Sequence, residues 1–427
     1  RSMIQVREYA QLTTDKTACP SLDLAIIKQE TFDWLVQLSE KESYGRFITY
    51  KRPQYLQLHS YVGYLESPCG EGIEILPKTG LGAQESDKSR EVLCKMLSSV
   101  LNLSYKDAQS ASLNRMNLPI HEWIYYQFLY LLKELVASGL RFDYQRVEEE
   151  SRFIRGQLDI TVQQRQTVGR AHLFHIRHDV YHSNRLENQL IKTALDYVQQ
   201  HCRSSENWRL ANEFSHILDP IASLREPLNS MHKWSDIKIL QSYRAIKPWC
   251  QLILEKLNPN FQKGEHRGIA LLFPMEILFE KYVARCLRRD IKAPWQLTTQ
   301  ASSKHMVNNQ KGLKPRFQLK PDLLISKERR NHHVLDTKWK LISFNNSDNN
   351  FNISQSDIYQ LFAYGYKYLN GCGDMMLIYP KHHQFEIPLE CFYLAEELRL
   401  WAIPFCIETD KVVIGEWVER FPSLSKA

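Results

Sequence analysis

Two short stretches decide how the last third of the chain folds: LKPDLLI at residues 319–325 and VLDTKW at residues 334–339. Each combines strand-forming apolar residues with charged ones, and only a short polar segment separates them, so they predict two strands joined by a hairpin. Proline is tolerated where a strand begins, which places Asp322 at the start of the first strand. Residues two apart on a strand face the same way, so Asp336 and Lys338 are predicted to point together.

Helical patterns flank these two strands in the sequence. The helix before them carries Glu276 and Glu280, which are four residues apart and therefore share one face. The helix after them carries Gln360 and Tyr364 at the same spacing. The order helix, strand, strand, helix, strand predicts an α/β domain over residues 259–427, with a central mixed sheet and helices packed against it.

The remainder of the chain predicts two further parts, and the whole is expected to be a multidomain α+β protein. Residues 1–84 show mostly short strands and turns, which indicates a β-rich N-terminal module. Residues 85–258 change to a helical period, with strong helices expected at 120–138 and 186–201, and this indicates a mainly helical linking region. A length of 427 residues agrees with two or three domains.

Composition narrows the class of protein. The 43% hydrophobic and 24% charged residues are typical of a globular chain. A formal charge of +7 permits a polyanionic partner without proving one. Nine cysteines without a CxxC pair argue against disulfides or structural zinc, so a reducing cytoplasm is expected. The sequence contains no apolar run of about 18 residues, so no membrane-spanning helix is expected.

The charged residues of the two strands suit metal-dependent hydrolysis of a phosphodiester. Hard divalent cations prefer oxygen ligands, neutralise phosphate and activate water. Asp322 and Asp336 can supply two carboxylates to one Mg²⁺, with Mn²⁺ as the alternative, and the Thr337 carbonyl can add a neutral ligand. Lys338 can orient or deprotonate the attacking water and offset developing negative charge.

Some assignments stay open at the level of the residues. Glu276 or Glu280 can complete the metal shell. Arg316 and Lys320 precede Asp322 and are candidate phosphate contacts. The alternative is that these basic residues form a solvated surface without a ligand.

The Pro321-Asp322 and Asp336-Thr337-Lys338 pair resembles the signature of the PD-(D/E)xK nuclease superfamily. The segment QLFAY at residues 360–364 resembles the Q-x-x-x-Y element of its RecB-like branch, which implies that Gln360 and Tyr364 orient DNA near the metal. The LFE triplet ending at Glu280 fits the family pattern better than the surroundings of Glu276, so the resemblance favours Glu280 as the third acid.

From about residue 70 to 380 the chain resembles the McrC family, the nuclease subunit of the McrBC methylcytosine-dependent restriction system. The further motifs are IEILPK at 73–78, RGQLD at 155–159 and NRLEN at 184–188. The resemblance implies a partner, a McrB-like AAA+ GTPase hexamer into whose pore the N-terminal part docks and whose GTP hydrolysis it stimulates. It also implies a methylated double-stranded DNA substrate. The chain has no G-x-x-x-x-G-K-[ST] motif, so GTP is expected to bind only to that partner.

Two functions other than that of a restriction nuclease subunit remain open. One is a GTPase-activating scaffold whose nuclease site is weak or silent, and the complete Asp/Asp/Lys set argues against it. The other is a stand-alone RecB-like repair nuclease, against which the long non-nuclease portion argues. Within the NRLEN motif, Arg185 and Asn188 are expected to hold the middle region together rather than to contact substrate.

Overall fold

The structure, a computed structural model, describes residues 3–40, 47–79, 86–101, 118–170, 172–235, 237–257, 268–307, 316–344 and 347–424. Its chain divides into two compact units, of which the first joins Arg1–Ile120 with Ala270–Ala427 and the second is His121–Ile269. The predicted boundaries near residues 84 and 258 fall in stretches outside the described residues, so the three-part division stays a prediction. The N-terminal and C-terminal segments nevertheless share one unit, which the sequence pattern did not predict.

The secondary structure elements are numbered separately for strands and helices. The strands are β1 (Met3–Arg7), β2 (Gln11–Thr13), β3 (Leu24–Ile26), β4 (Ile48–Arg52), β5 (Tyr55–Leu58), β6 (Tyr61–Glu66), β7 (Gly72–Leu76), β8 (Asp143–Ser151), β9 (Gln157–Leu158), β10 (Phe174–His182), β11 (Ile269–Pro274), β12 (Trp295–Thr299), β13 (Lys304–Val307), β14 (Arg316–Leu319), β15 (Leu323–Lys327), β16 (Arg330–Thr337), β17 (Gly373–Pro380), β18 (Phe392–Ala395), β19 (Leu398–Cys406) and β20 (Lys411–Val412). The α-helices are α1 (Gln29–Ser39), α2 (Ser86–Val100), α3 (Ile120–Ser138), α4 (Ile160–Gln163), α5 (Leu186–His201), α6 (Ser205–Ile217), α7 (Pro227–Met231), α8 (Lys247–Leu252), α9 (Met275–Asp290) and α10 (Gln355–Tyr368).

The N-terminal segment is rich in strands, as its alternating pattern predicts. One four-stranded sheet has the order β1-β7-β6-β11 and another the order β3-β2-β5-β4. Alternate apolar residues of these strands, among them Leu12 and Leu56, share a buried core with Trp34 and Leu35 of α1. Apolar side chains on one face of each strand are what drives this packing.

The C-terminal segment forms a seven-stranded sheet. Six of its strands have the order β12-β15-β16-β17-β19-β18, and the seventh, β20, pairs with β19. Strands β16, β17 and β19 run parallel, whereas β12, β15 and β16 pair antiparallel, so the predicted mixed sheet is present. Helix α10 connects β16 to β17. Its Leu361 and Tyr364 pack in one core with Leu324, Val334 and Leu377 of the sheet, which defines the face that α10 covers.

The second unit is less purely helical than its sequence predicts. Helices α3 and α5 have the expected bounds, but a three-stranded sheet with the order β8-β10-β9 lies in the same unit. Some facing pairs of β8 and β10 join opposite charges, as where Arg177 Nε lies 2.9 Å from Glu148 Oε1. Cross-strand ion pairs replace the apolar alternation by which strands are normally predicted, and the pattern therefore missed this pair.

Asn188 lies fully buried on α5 and ties three segments of the second unit together. Its amide nitrogen donates to the carbonyls of Arg141 and Ser183 at 2.8 and 2.9 Å, and the Tyr243 hydroxyl donates to its Oδ1 at 2.7 Å. These contacts support the structural role expected of the NRLEN motif. Within the described residues, no helix is both long enough and apolar enough to cross a membrane.

Candidate functional site

Strands β15 and β16 bring Asp322 and Asp336 together. Leu323 pairs with Leu335 in an antiparallel register, and continuing that register by one residue sets Asp322 opposite Asp336. The Thr337 backbone N–H and hydroxyl both donate to Asp322 Oδ2 at 2.8 Å. Asp322 is therefore held against the strand that carries Asp336. The alternation of both strands turns the two carboxylates toward the face covered by α10.

Asp336 is a buried carboxylate paired with a lysine. Its side chain is almost completely enclosed, the residue being 1% exposed, and Lys338 Nζ lies 2.7 Å from Oδ2. Burial raises the pKa of Asp336 to about 7, and the charge of Asp322 acts in the same direction, while Lys338 opposes both. Burial lowers the pKa of Lys338, but the carboxylates of Asp336, Asp357 and Asp322 together outweigh burial and raise it, so the ammonium stays charged.

Glu280, rather than Glu276, belongs to this cluster. Burial and the nearby Asp322 carboxylate raise the pKa of Glu280. Gln300 connects the two acids, since its Nε2 donates to Glu280 Oε1 and its backbone N–H donates to the Asp322 carbonyl, each at 2.8 Å. Glu276 is exposed one turn earlier on α9, and its charge acts on Tyr9. The sequence offered no signal for Gln300.

Helix α10 contacts Lys338 through Gln360. Gln360 Oε1 accepts from Lys338 Nζ at 3.4 Å, and Gln360 Nε2 donates to the Tyr364 hydroxyl at 2.8 Å. That hydroxyl donates in turn to the Lys320 carbonyl at 3.0 Å. The two helix residues predicted from the sequence are thus beside the lysine, and the chain of hydrogen bonds fixes the backbone just before Asp322.

Asp357 on α10 is a further acid that the sequence reasoning did not single out. Lys340 Nζ lies 3.0 Å from one of its carboxylate oxygens, and Lys338 Nζ lies 3.9 Å from the other. Its backbone N–H donates to the Ser354 hydroxyl, which caps the beginning of α10. In the sequence, the spacing of Ser354 and Asp357 therefore indicates a helix start and does not indicate a functional acid. Lys338 therefore lies between two carboxylates, those of Asp336 and Asp357.

The residue after Lys338 is tied to the N-terminal segment. Trp339 Nε1 donates to Glu8 Oε1 at 2.6 Å, and the Lys78 backbone N–H donates to the same oxygen at 2.7 Å. Glu8 is 1% exposed, and burial raises its pKa to about 7. Because 331 residues separate Glu8 from Trp339, no local sequence pattern could have indicated this contact.

Glu8 makes the stability of the first unit depend on pH. Since the pKa of Glu8 is near 4.5 in an unfolded chain and about 7 in the fold, its contribution is complete below pH 4.5 and is lost as pH rises to 7. The loss amounts to about 3 kcal/mol.

We expect Glu8→Gln, which keeps the acceptor for Trp339, to be more stable than wild type at pH 8. Its free energy of unfolding should also lose the dependence on pH that Glu8 causes. Urea unfolding between pH 4 and 8 measures it. A slope unchanged in Glu8→Gln, as expected for exposed Glu30→Gln, would refute the assignment.

The chemistry of the cluster fits a hard divalent cation. Asp322, Asp336 and Glu280 offer only oxygen donors. Burial is the first cause that raises the pKa values of Asp336 and Glu280, and repulsion by the Asp322 carboxylate is the second cause for each. A cation would relieve that repulsion. No three His, Cys, Asp or Glu side chains in the described part of the chain are close enough to form a ready-made metal site. The Thr337 carbonyl stays a predicted ligand.

Lys320 and Arg316, the predicted phosphate contacts, are both exposed on the segment that leads into Asp322. Their side chains face solvent and are not buried among the carboxylates. This placement is compatible with binding an anionic ligand that reaches the cluster from solvent.

Comparison with known proteins gives a family and a fold. Residues 56–380 match the sequence model of a family described as McrBC 5-methylcytosine restriction system component. A chain in a refined half-complex of Thermococcus gammatolerans McrB AAA+ hexamers with bound McrC superposes with a TM-score of 0.74 at 16% identity, covering 99% of both chains. A chain of the T. gammatolerans McrBC complex superposes with a TM-score of 0.53 at 18% identity, covering 68% of this chain and 88% of that one. No curated protein sequence matches.

Proposed function

Because the chain belongs to the McrBC 5-methylcytosine restriction system component family, we propose that it is the DNA-cleaving subunit of a modification-dependent restriction complex. The observation that carries this proposal is Asp322, directly before β15, held by Thr337 beside Asp336 of β16, with the Lys338 ammonium 2.7 Å from Asp336. This arrangement, on one face of a mixed sheet, is the one expected of a PD-(D/E)xK nuclease.

The residues of the cluster would have different roles in phosphodiester hydrolysis. Asp322 and Asp336, with Glu280 and the Thr337 carbonyl, would hold a Mg²⁺ or Mn²⁺ ion, which supplies charge neutralisation and lowers the pKa of bound water. Lys338 remains protonated between Asp336 and Asp357, so its role is to orient the attacking water and stabilise negative charge rather than to accept a proton. Attack on phosphorus breaks the bond to the 3′ oxygen and leaves a 5′ phosphate.

The DNA would approach along the exposed side of the cluster. Gln360 and Tyr364 position Lys338 and would orient the strand to be cut, while Arg316 and Lys320 would contact its phosphates. One such site cuts one strand, so a double-strand break requires two copies of the chain.

The proposed partner is an AAA+ GTPase hexamer. The solved complexes that the chain resembles contain McrB AAA+ hexamers with bound McrC, and the similarity to one of them extends over 99% of both chains. GTP would bind to that hexamer, which would also select the modified DNA. Docking through the N-terminal module remains a prediction.

Metal dependence tests the proposed activity. With the GTPase partner, GTP and methylated duplex DNA present, chelation by EDTA should abolish cleavage, and added Mg²⁺ or Mn²⁺ should restore it. A silent nuclease site would instead give stimulated GTP hydrolysis without cleavage under any metal. Robust metal-dependent cleavage without the partner would favour the stand-alone repair nuclease.

A further inference from the structure

Strands β13 and β14 form a two-stranded antiparallel sheet apart from the central one, and we call Lys304–Val307 with Arg316–Leu319 the basic hairpin. Residues 301–321, which contain it, include five lysines and arginines and no aspartate or glutamate. The whole chain has a formal charge of only +7. Positive charge is therefore concentrated in this segment, where no acid of the same segment offsets it. Residues 308–315, between the two strands, lie outside the described part of the chain.

The basic hairpin is anchored beside the carboxylate cluster. The Tyr368 hydroxyl is within 2.9 Å of the carbonyls of both Ala301 and Leu319, at the base of the hairpin. The Tyr364 hydroxyl donates to the carbonyl of Lys320, two residues before Asp322. Both tyrosines belong to α10, the helix that also supports Lys338. The position of the hairpin is thus coupled to that of the cluster through the same helix.

Phe317, on β14, exposes a large aromatic ring on this basic segment. It is 72% exposed, and its backbone has a φ of 57°, in the left-handed region that bulky residues rarely adopt. Met306 and Val307 on the paired strand are also exposed. An exposed ring on a strained backbone is costly for the free chain, and such strain tends to occur at functional sites. Phe317 precedes Asp322 by five residues, a span of at most about 17 Å.

We propose that the basic hairpin, together with Lys320 directly after it, grips duplex DNA next to the cut. Lys304, Arg316 and Lys320 would contact phosphates, and the Phe317 ring would be wedged against the bases. Apolar wedges flanked by cationic side chains are a known way of unstacking and kinking a duplex. A span of about 17 Å corresponds to roughly five base steps at 3.4 Å each, so the wedge would act within a few base pairs of the scissile phosphate. The choice of duplex DNA as the ligand and the position of the cut both rest on the proposed function.

The ring is tested in the full chain carrying Asp336→Asn, which is expected to bind DNA without cutting it. Duplexes carrying 2-aminopurine at single positions report unstacking by a rise in fluorescence, and anisotropy reports affinity. Phe317→Ala should bind about tenfold more weakly and abolish the fluorescence rise, since stacking on an aromatic ring is lost. Phe317→Gly, which suits the left-handed backbone, should behave in the same way, and Phe317→Trp should retain both signals. Tyr393→Ala is the matched control, because Tyr393 on β18 is 71% exposed.

The basic residues are tested by salt dependence. Arg316→Ala and Lys320→Ala should each lower the slope of log affinity against log salt by about 0.9. Unchanged affinity and fluorescence in Phe317→Ala, unchanged slopes, or no duplex binding by the parent chain at low salt would overturn the proposal, and the hairpin would then be a protein-docking surface. Failure of the proposed function is distinguishable, because it would appear as no metal-dependent cleavage by the wild-type chain with its partner while these binding results stand.

Discussion

Asp336→Asn should lower DNA cleavage by about a thousandfold or more, with no loss of folded protein. The carboxylate is enclosed between Lys338 and Asp322, where its charge would draw a divalent cation into the site. A metal ion contributes several kcal/mol to stabilising the reacting phosphate, and about 4 kcal/mol corresponds to a factor of a thousand. Because burial already favours the neutral form of Asp336, an isosteric amide should be tolerated. Cleavage of methylated duplex DNA under single-turnover conditions measures the loss.

Two controls separate catalysis from assembly. The chain should stimulate GTP hydrolysis by its partner as strongly with Asp336→Asn as without it. The substitution removes one buried charge and changes no surface residue. Glu280→Gln should reduce cleavage, whereas Glu276→Gln, exposed one turn earlier on the same helix, should not. Wild-type cleavage by Asp336→Asn would remove the proposed site, and equal effects at Glu276 and Glu280 would remove the assignment of the third acid.

Glu74→Ala should lower the free energy of unfolding of the first unit by about 3–5 kcal/mol. Glu74 on β7 is fully buried and accepts from Arg90 Nε of α2 at 3.2 Å, in an ion pair that is itself buried. It also accepts from the Ile120 backbone N–H at 3.0 Å and from Gln5 Nε2 at 3.2 Å. Removing the carboxylate takes away the buried ion pair that the Arg90 guanidinium makes in the interior. Urea unfolding followed by tryptophan fluorescence gives the change.

An exposed ion pair of the same unit provides the comparison. Asp23 forms a 2.8 Å pair with Arg7 but is largely solvated, so Asp23→Ala should cost less than about 1 kcal/mol. The double change Glu74→Leu with Arg90→Met should recover much of the stability lost in Glu74→Ala, because no buried charge is then left behind. If Glu74→Ala lowers the free energy of unfolding by no more than Asp23→Ala does, the buried ion pair does not stabilise the packing of β7 against α2.

The sequence by itself determined the local half of the site. Alternation along two strands was enough to predict that Asp336 and Lys338 share a face, and the structure places Asp322 beside them. Helical spacing likewise paired Gln360 with Tyr364. Such inferences succeed because the period of a strand or helix is a property of consecutive residues. The bounds of helices α3 and α5 followed from the same kind of pattern.

Only the tertiary structure decided which distant groups complete the site. Spacing alone could not separate Glu280 from Glu276, because both lie on one face of α9 and only packing sets which of them approaches Asp322. Nothing near Trp339 in the sequence indicates that Glu8 accepts its indole hydrogen. The ribbon of β8 and β10 was missed because charged pairs across it replace an apolar face. Each of these contacts joins residues far apart in the chain, and their geometry is set by how whole elements pack rather than by the order of their neighbours.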